Sequence, residues 1–370
     1  MGKVGETTLF LDLNALEHNF AYLRSKIAPS TKFLGVVKAF AYGSDMVAIA
    51  KKLELLGADY LAVAYVSEGV LLRNAGIKTP ILVLHSLASN FEEMIDRCLE
   101  PSLYSQNILT QFLEAARAKK QVAYPVHIKF NTGLNRLGFK ENEIGFIAER
   151  LKTSPEAKVV SVFSHLAASE DPNERAFSLN QIDTFKKCSA VLAQKLGYAS
   201  IRHMLNTSGI INYASEAQFE MVRSGIGLYG YGNDALIDPN LRPVATLKTI
   251  ISQIHEIGDG ETVGYNRAFK TGGTTKTATL PIGHADGIGR QYGKGKASVL
   301  INGKEAPLIG NVCMDMIMVD VTGVDCEEGD EVLVFGPQRS AENFASGAGT
   351  ISYEILTAIS QRVKRIVIDH

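Results

Sequence analysis

From residue 33 to about residue 230, short apolar runs of strand length alternate with longer stretches in which apolar residues recur every three or four positions. The runs lie at 33–38, 60–65, 80–84, 101–104, 126–131, 158–164, 200–205 and 221–226. The stretch 45–56 shows the helical pattern between them: Met46, Ile49, Ala50, Leu53 and Leu56 share one face, and Lys51, Lys52 and Glu54 the other. Ser44 or Asp45 is its candidate N-cap and Gly57 its stop. Further helices are predicted at 66–75, 91–98, 107–119, 142–153 and 177–196. Strands separated by helices pair in parallel through right-handed crossovers. Eight such units predict an α/β fold with a TIM-like (β/α)8 barrel, an open doubly wound sheet being the alternative.

After residue 240 the texture changes. Strand-like runs at 246–254, 277–283, 297–301, 317–321 and 331–335 are separated by turn signals such as Gly258-Asp259-Gly260, Gly272-Gly273 and Glu328-Gly329-Asp330. Asn302-Gly303 between two apolar runs predicts a type I′ hairpin. The pattern is that of a second, mostly antiparallel β domain, closed by a helix at 351–361 and a strand at 363–369. The alternating segment 7–13 is expected to pair with it. The domain plan is therefore an N-terminal strand in 1–12, a barrel over 13–240 and a C-terminal β domain over 241–370.

Composition narrows the class. The 370 residues are 46% hydrophobic and 21% charged, the balance of a globular protein with ample core. A net charge of −1 argues against nucleic acid or an anionic membrane held through bulk charge. Cys98, Cys188, Cys313 and Cys326 form no C-x-x-C pair or zinc-type cluster, so no metal is expected, and scattered thiols fit a reducing compartment. The start of the chain has no apolar signal core, no run is long enough to span a bilayer, and Glu6 stands where a myristoylated Gly2 would need Ser or Thr. The expectation is a cytoplasmic protein.

Barrel chemistry sits at the carboxyl ends of the strands. Lys38 ends the first run, with Tyr42 just beyond. Such an amine is either a solvated strand-end lysine or, once desolvated, a nucleophile able to form a Schiff base. The fifth unit carries Lys129 and Arg136, the sixth His165, the seventh His203 and Asn206-Thr207-Ser208-Gly209, and the eighth Arg223-Ser224-Gly225-Ile226-Gly227. Cations converge with little acid among them, which calls for an anionic ligand. The last two loops, at the usual phosphate position of this fold, offer hydroxyls and backbone N–H groups, although glycine-rich turns after strands are common. His127 reads as a hydrogen-bonded core histidine. An aldehyde-reactive lysine beside a phosphate cup suggests pyridoxal phosphate.

Val37-Lys38-Ala39-Phe40-Ala41-Tyr42-Gly43 resembles the cofactor-lysine signature of the alanine racemase family, the fold-type III pyridoxal-phosphate enzymes. The segment 129–138, Val222-Arg223-Ser224-Gly225-Ile226, Gly264-Tyr265, Cys313-Met314-Asp315 and Ile351-Ser352-Tyr353-Glu354 resemble further family motifs in family order. The resemblance implies racemisation of L- and D-alanine, supplying D-alanine for peptidoglycan, in a head-to-tail homodimer with shared active sites. It implies two bases: Lys38, which holds the cofactor, and Tyr265 of the partner subunit. Arg223 would face the pyridine nitrogen, with His165 and His203 in its hydrogen-bond network. Tyr42, Thr207, Gly225, Ile226 and Tyr353 would hold the phosphate, and Asn206 would also belong to the cofactor site. Arg136 and the backbone of Met314 would bind the substrate carboxylate. Lys129, often carbamylated in this family, and Asp315 would support them.

Four positions depart from the family pattern. Phe40 stands where Asn is common, Thr207 where Ser is usual, His284 where a Tyr lines the entrance, and Asn311 where that corridor has Arg. These bear on substrate breadth, so a racemase of broader specificity stays open. A fold-type III decarboxylase would present an acid to the pyridine nitrogen, against Arg223. A cofactor-carrying barrel would lack the β domain.

Overall fold

The computed structural model describes residues 5–232 and 238–369. Residues 1–4 of the N-terminal segment, Gly2 included, lie outside the described residues, as do 233–237 at the end of the expected barrel domain and His370. The chain divides into two compact units. One comprises 17–41 and 46–241, the other 1–16, 42–45 and 242–370.

The first strand, β1 (Thr8–Asp12), belongs to the second unit. The barrel unit is built from β2 (Lys32–Val36), β3 (Tyr60–Val63), β4 (Ile81–Val83), β5 (Leu99–Leu103), β6 (Tyr124–Lys129), β7 (Ala157–Phe163), β8 (Ile201–His203) and β9 (Met221–Ser224). These strands close in sequence order, each parallel to the next, and β2 pairs with β9. The doubly wound alternative is thereby excluded. The runs are short and apolar because a barrel strand is buried on both faces. Phe33, Leu61, Val83, Ile128 and Val222 are all fully buried. Helices Met46–Leu55, Gln106–Ala118 and Arg175–Leu196 follow their strands. The second of these is capped by the Ser105 side chain, and the third stops at Gly197 in a left-handed conformation.

The β unit contains β10 (Ala245–Ile250), β11 (Gln253–Ile257), β12 (Thr262–Val263), β13 (Phe269–Lys270), β14 (Thr275–Leu280), β15 (Ser298–Ile301), β16 (Lys304–Ile309), β17 (Ile317–Asp320), β18 (Glu331–Phe335) and β19 (Lys364–Ile368). Its main sheet runs β11-β14-β17-β16-β15-β18-β10-β1-β19. Most pairs are antiparallel; β1 pairs antiparallel with β10 and parallel with β19. The hairpin at Asn302-Gly303 pairs Ile301 with Lys304, and both loop residues have positive φ. The single run expected at 246–254 is two strands, broken at Ile251-Ser252 where the chain leaves β18 for β14. No helix among the described residues is long and apolar enough to cross a membrane.

Candidate active site

Lys38 does not end a strand. Strand β2 stops at Val36, and the next residues wind left-handed: φ is 54° at Ala39, 52° at Phe40, 55° at Ala41 and 55° at Tyr42, then 78° at Gly43. Side chains with Cβ disfavour this conformation by about 1–2 kcal/mol each, so four of them store roughly 4–8 kcal/mol. The surroundings must hold such a turn. The Glu68 carboxylate accepts from the backbone N–H of Ala39 (2.6 Å), Ala64 (2.7 Å) and Tyr65 (3.2 Å). Ala41 N–H donates to the Val37 carbonyl at 3.0 Å, and the Ala41 side chain is buried. In the β unit, Arg365 donates to the carbonyls of Gly43 and Ser44. A Cβ on Gly43 would lie 1.9 Å from the Leu356 carbonyl oxygen, so that position admits glycine alone. Neither this winding nor Glu68 is announced by a glycine or asparagine within Ala39-Phe40-Ala41-Tyr42.

The Lys38 amine is biased toward its neutral form, first by burial and then by Arg136, while Glu68 opposes the shift. Lys129, at the end of β6, is pushed down to about 8 by burial and by Arg136, Arg223 and Lys38. Arg136 itself is exposed, on a loop whose ends are tied by Phe130 and Phe139. Asn131 organises this loop, accepting from Gly133 N–H and Asn135 N–H. Its reach is electrostatic: it lowers the proton affinity of Lys38, Lys129, His165 and Arg223.

Arg223 is the buried centre of the group. Its Nη1 donates to His203 Nδ1 (2.7 Å) and the His203 carbonyl (3.1 Å). Its Nη2 donates to the Ser164 and Met204 carbonyls and to His165 Nδ1 (3.2 Å). Burial and Arg136 weigh against its charge, yet a guanidinium keeps its protons. Both histidines therefore accept through Nδ1, and both are held neutral, well below the usual range, by burial and then Arg223. Phe163 lies beneath this group: the His203 ring stacks on it at 4.9 Å, the Arg223 guanidinium lies 5.3 Å from its centroid and the Lys129 amine 5.8 Å.

The two expected anion loops meet each other. Asn206 caps the helix Thr207–Ala217, accepting from Gly209 N–H (2.9 Å) and from the Ser169 hydroxyl (2.8 Å). Its side chain is thus committed to the cap. The Thr207 hydroxyl accepts from Gly227 N–H (3.2 Å) and sits 3.1 Å from the Ser224 hydroxyl. A Cβ on Gly227 would come within 2.5 Å of Thr207 Cγ2, so the loop containing Gly225 and Ile226 closes on Thr207 only through glycine. Backbone N–H groups at a helix start beside a glycine loop suit a phosphate.

In the β unit, Tyr265 follows Gly264, whose φ is 77°, and is 73% exposed. Met314 is 59% exposed, and both line one open concavity with Cys313 and Asp315. Asn311 donates to the Tyr265 carbonyl at 3.0 Å, and His284 N–H donates to the Cys313 carbonyl. Arg362 ties Asp315 to Asp286. Tyr42 and Tyr353 pack with ring centroids 6.0 Å apart. Burial and Tyr353 raise the Tyr42 phenol well above its ordinary value, so it acts as a hydrogen-bond donor.

The fold defines a closed parallel barrel followed by a mostly antiparallel β unit, and a lysine with a set of nearby cations forms its candidate site. Comparison with known proteins makes the class specific. The model of the alanine racemase N-terminal domain matches residues 11–233, and that of the C-terminal domain matches 244–367. Alanine racemase 1 of Clostridium acetobutylicum is 37% identical over 369 residues, spanning 97% of this chain and 94% of its own. The solved alanine racemase of Clostridium difficile is 32% identical with a TM-score of 0.92, covering 99% of this chain and 97% of its own. That of Bartonella henselae, solved with covalently bound pyridoxal phosphate, is 29% identical with a TM-score of 0.90, covering 99% and 100%. The chain belongs to the alanine racemase family. It is an isomerase acting on amino acids.

Proposed function

We propose that this enzyme interconverts L- and D-alanine with pyridoxal phosphate, using Lys38 and Tyr265 of the partner subunit as bases on opposite faces of the substrate. The observation that carries this reading is the Lys38 amine, half-buried and biased toward neutrality at the head of a strained left-handed turn. The donor set fits the cofactor: an amine for its aldehyde, an anion cup closed by Gly227 against Thr207, and a buried guanidinium for its pyridine nitrogen.

Pyridoxal phosphate, when bound, supplies an electron-withdrawing ring conjugated to the substrate Cα. Lys38 Nζ takes or returns the Cα proton on one face, and Tyr265 Oη of the partner subunit serves the other, since inversion needs a base on each side. Arg223 donates toward the pyridine nitrogen without giving up a proton. It thereby keeps electron withdrawal moderate and favours return of the proton over side reactions. His165 and His203, both neutral, hold Arg223 without adding charge. Thr207, Gly225 and Ile226, with the start of the helix capped by Asn206, receive the phosphate, and Tyr42 and Tyr353 contribute phenols. Arg136 and the backbone N–H of Met314 bind the substrate carboxylate. Lys129, near 8 and so partly neutral at physiological pH, suits carbamylation, which would give Arg136 an anionic partner. Asp315 holds the Met314 segment through Arg362.

The same reading includes the head-to-tail homodimer, the division at 1–12, 13–240 and 241–370, cytoplasmic residence and supply of D-alanine to peptidoglycan. Four free thiols suit the cytoplasm. Borohydride treatment of protein loaded with pyridoxal phosphate, followed by peptide mass mapping, tests the centre of it: the adduct should sit on Lys38, and an adduct on any other lysine would refute the assignment.

A further inference from the structure

Behind Arg223 a line of buried polar side chains crosses the barrel, one from each of four successive strands. His203 Nε2 lies 2.8 Å from Ser161 Oγ, Ser161 Oγ lies 2.5 Å from His127 Nδ1, and His127 Nε2 lies 2.7 Å from Glu100 Oε2. Ser161 and His127 are register partners across β7 and β6. His127 and His203 are 0% exposed and Ser161 1%, so water cannot replace the contacts among these three. Tyr60 sets its ring edge-to-face against His127.

The chemistry of the two ends orders every proton between them. The Arg223 guanidinium has only donors, so His203 Nδ1 must accept. His203 then carries its proton on Nε2 and donates to Ser161. The hydroxyl, having accepted from His203, donates to His127 Nδ1. His127 carries its proton on Nε2 and donates to Glu100, whose carboxylate is an acceptor. Each donor meets one acceptor, and the permanent donor at one end agrees with the acceptor at the other. Reversing the His203–Ser161 bond would set an N–H of His203 against an N–H of Arg223.

We propose that Glu100, His127 and Ser161 are positioning residues for racemisation: they hold His203 in the tautomer whose Nδ1 accepts from Arg223, and so fix the guanidinium where it meets the cofactor. This rests on the assignment of Arg223 to the pyridine nitrogen. The neutrality of His203, imposed by burial and Arg223, is consistent with it. A hydrogen-bonded core could use the same residues for stability alone. The distinction is that a positioning chain acts on a proton location and on turnover, not on folding.

The test reads both. Ser161→Ala removes the link between the two histidines without adding bulk; Ser161→Thr restores a hydroxyl; Glu100→Gln is an isosteric second variant should Ser161→Ala not fold. In protein labelled with 15N-histidine and free of cofactor, the parent should show His203 protonated at Nε2 only. Ser161→Ala should shift His203 toward a mixture of tautomers, with the circular dichroism of the parent. In protein loaded with pyridoxal phosphate, kcat should fall by on the order of 10- to 100-fold, as misplacement of a functional group does, while KM for alanine stays within about twofold. Ser161→Thr should recover most of both, and Glu100→Gln should move both in the same direction by less. A His203 tautomer unchanged by Ser161→Ala overturns the proposal, and so does a shifted tautomer with kcat unchanged. Because the tautomer is read without cofactor, failure of the relay is separable from failure of the racemase reading.

Discussion

Glu68→Gln is the sharpest perturbation of the Lys38 turn. One carboxylate oxygen accepts from Ala39 N–H and the other from Ala64 and Tyr65 N–H, at 2.6, 2.7 and 3.2 Å. A glutamine keeps the size but must point its NH2 at one of these donors. At least one charge-assisted bond becomes a donor–donor contact, and such bonds contribute about 1.5–3 kcal/mol. Ala39 is exposed, so water offsets part of the loss there. The turn stores roughly 4–8 kcal/mol in its four left-handed residues, so losing this restraint raises its opening constant by about 10- to 100-fold. Amide hydrogen exchange over residues 38–43 should accelerate by that factor while the barrel core stays protected. Displacement of Lys38 by about 1 Å would lower kcat by on the order of 100-fold. Exchange and kcat both within twofold of the parent would refute the claim that Glu68 holds the turn.

Other outcomes follow from the same geometry. Gly43→Ala must accept both φ of 78° and a Cβ against the Leu356 carbonyl, and should destabilise by about 2–5 kcal/mol in urea unfolding. Lys129 titrates near 8 in the fold against 10.5 in the unfolded chain. Between those values the unfolded chain binds the extra proton, so in CO2-free buffer stability should rise with pH across that window, and Lys129→Met should flatten the slope. Tyr265→Phe should lower kcat/KM at least about 100-fold and equally in both directions, as an equilibrium constant of one requires, measured as initial rates from each enantiomer. Mixed Lys38→Ala and Tyr265→Phe proteins should recover about a quarter of parental activity through random hybrid dimers, as shared sites require.

The barrel was legible because each strand is buried on both faces and each helix on one, so the sequence period reports the layer directly. The pair Asn302-Gly303 was legible because a two-residue hairpin demands positive φ at both positions. Lys129 and Arg223 were legible as cations at the ends of their strands, whereas Lys38 lies beyond the end of β2 and Arg136 on an exposed loop. The left-handed turn was not, because Ala39, Phe40, Ala41 and Tyr42 carry no local preference for it. Their conformation is imposed by Glu68, in the first turn of the helix Val66–Asn74, and by buried neighbours. The break between β10 and β11 hid within one apolar run, since changing neighbours in a sheet leaves no mark in hydropathy. His127 was read as a core histidine from its place in β6. Its partners Glu100 and Ser161 lie 27 and 34 residues away, joined only by barrel register.

The most direct test of the central claim is the reaction of L-alanine in D2O with purified protein loaded with pyridoxal phosphate. D-alanine should accumulate to equal amounts of both enantiomers and carry deuterium at Cα. No D-alanine, or release of a decarboxylated amine instead, would contradict the account.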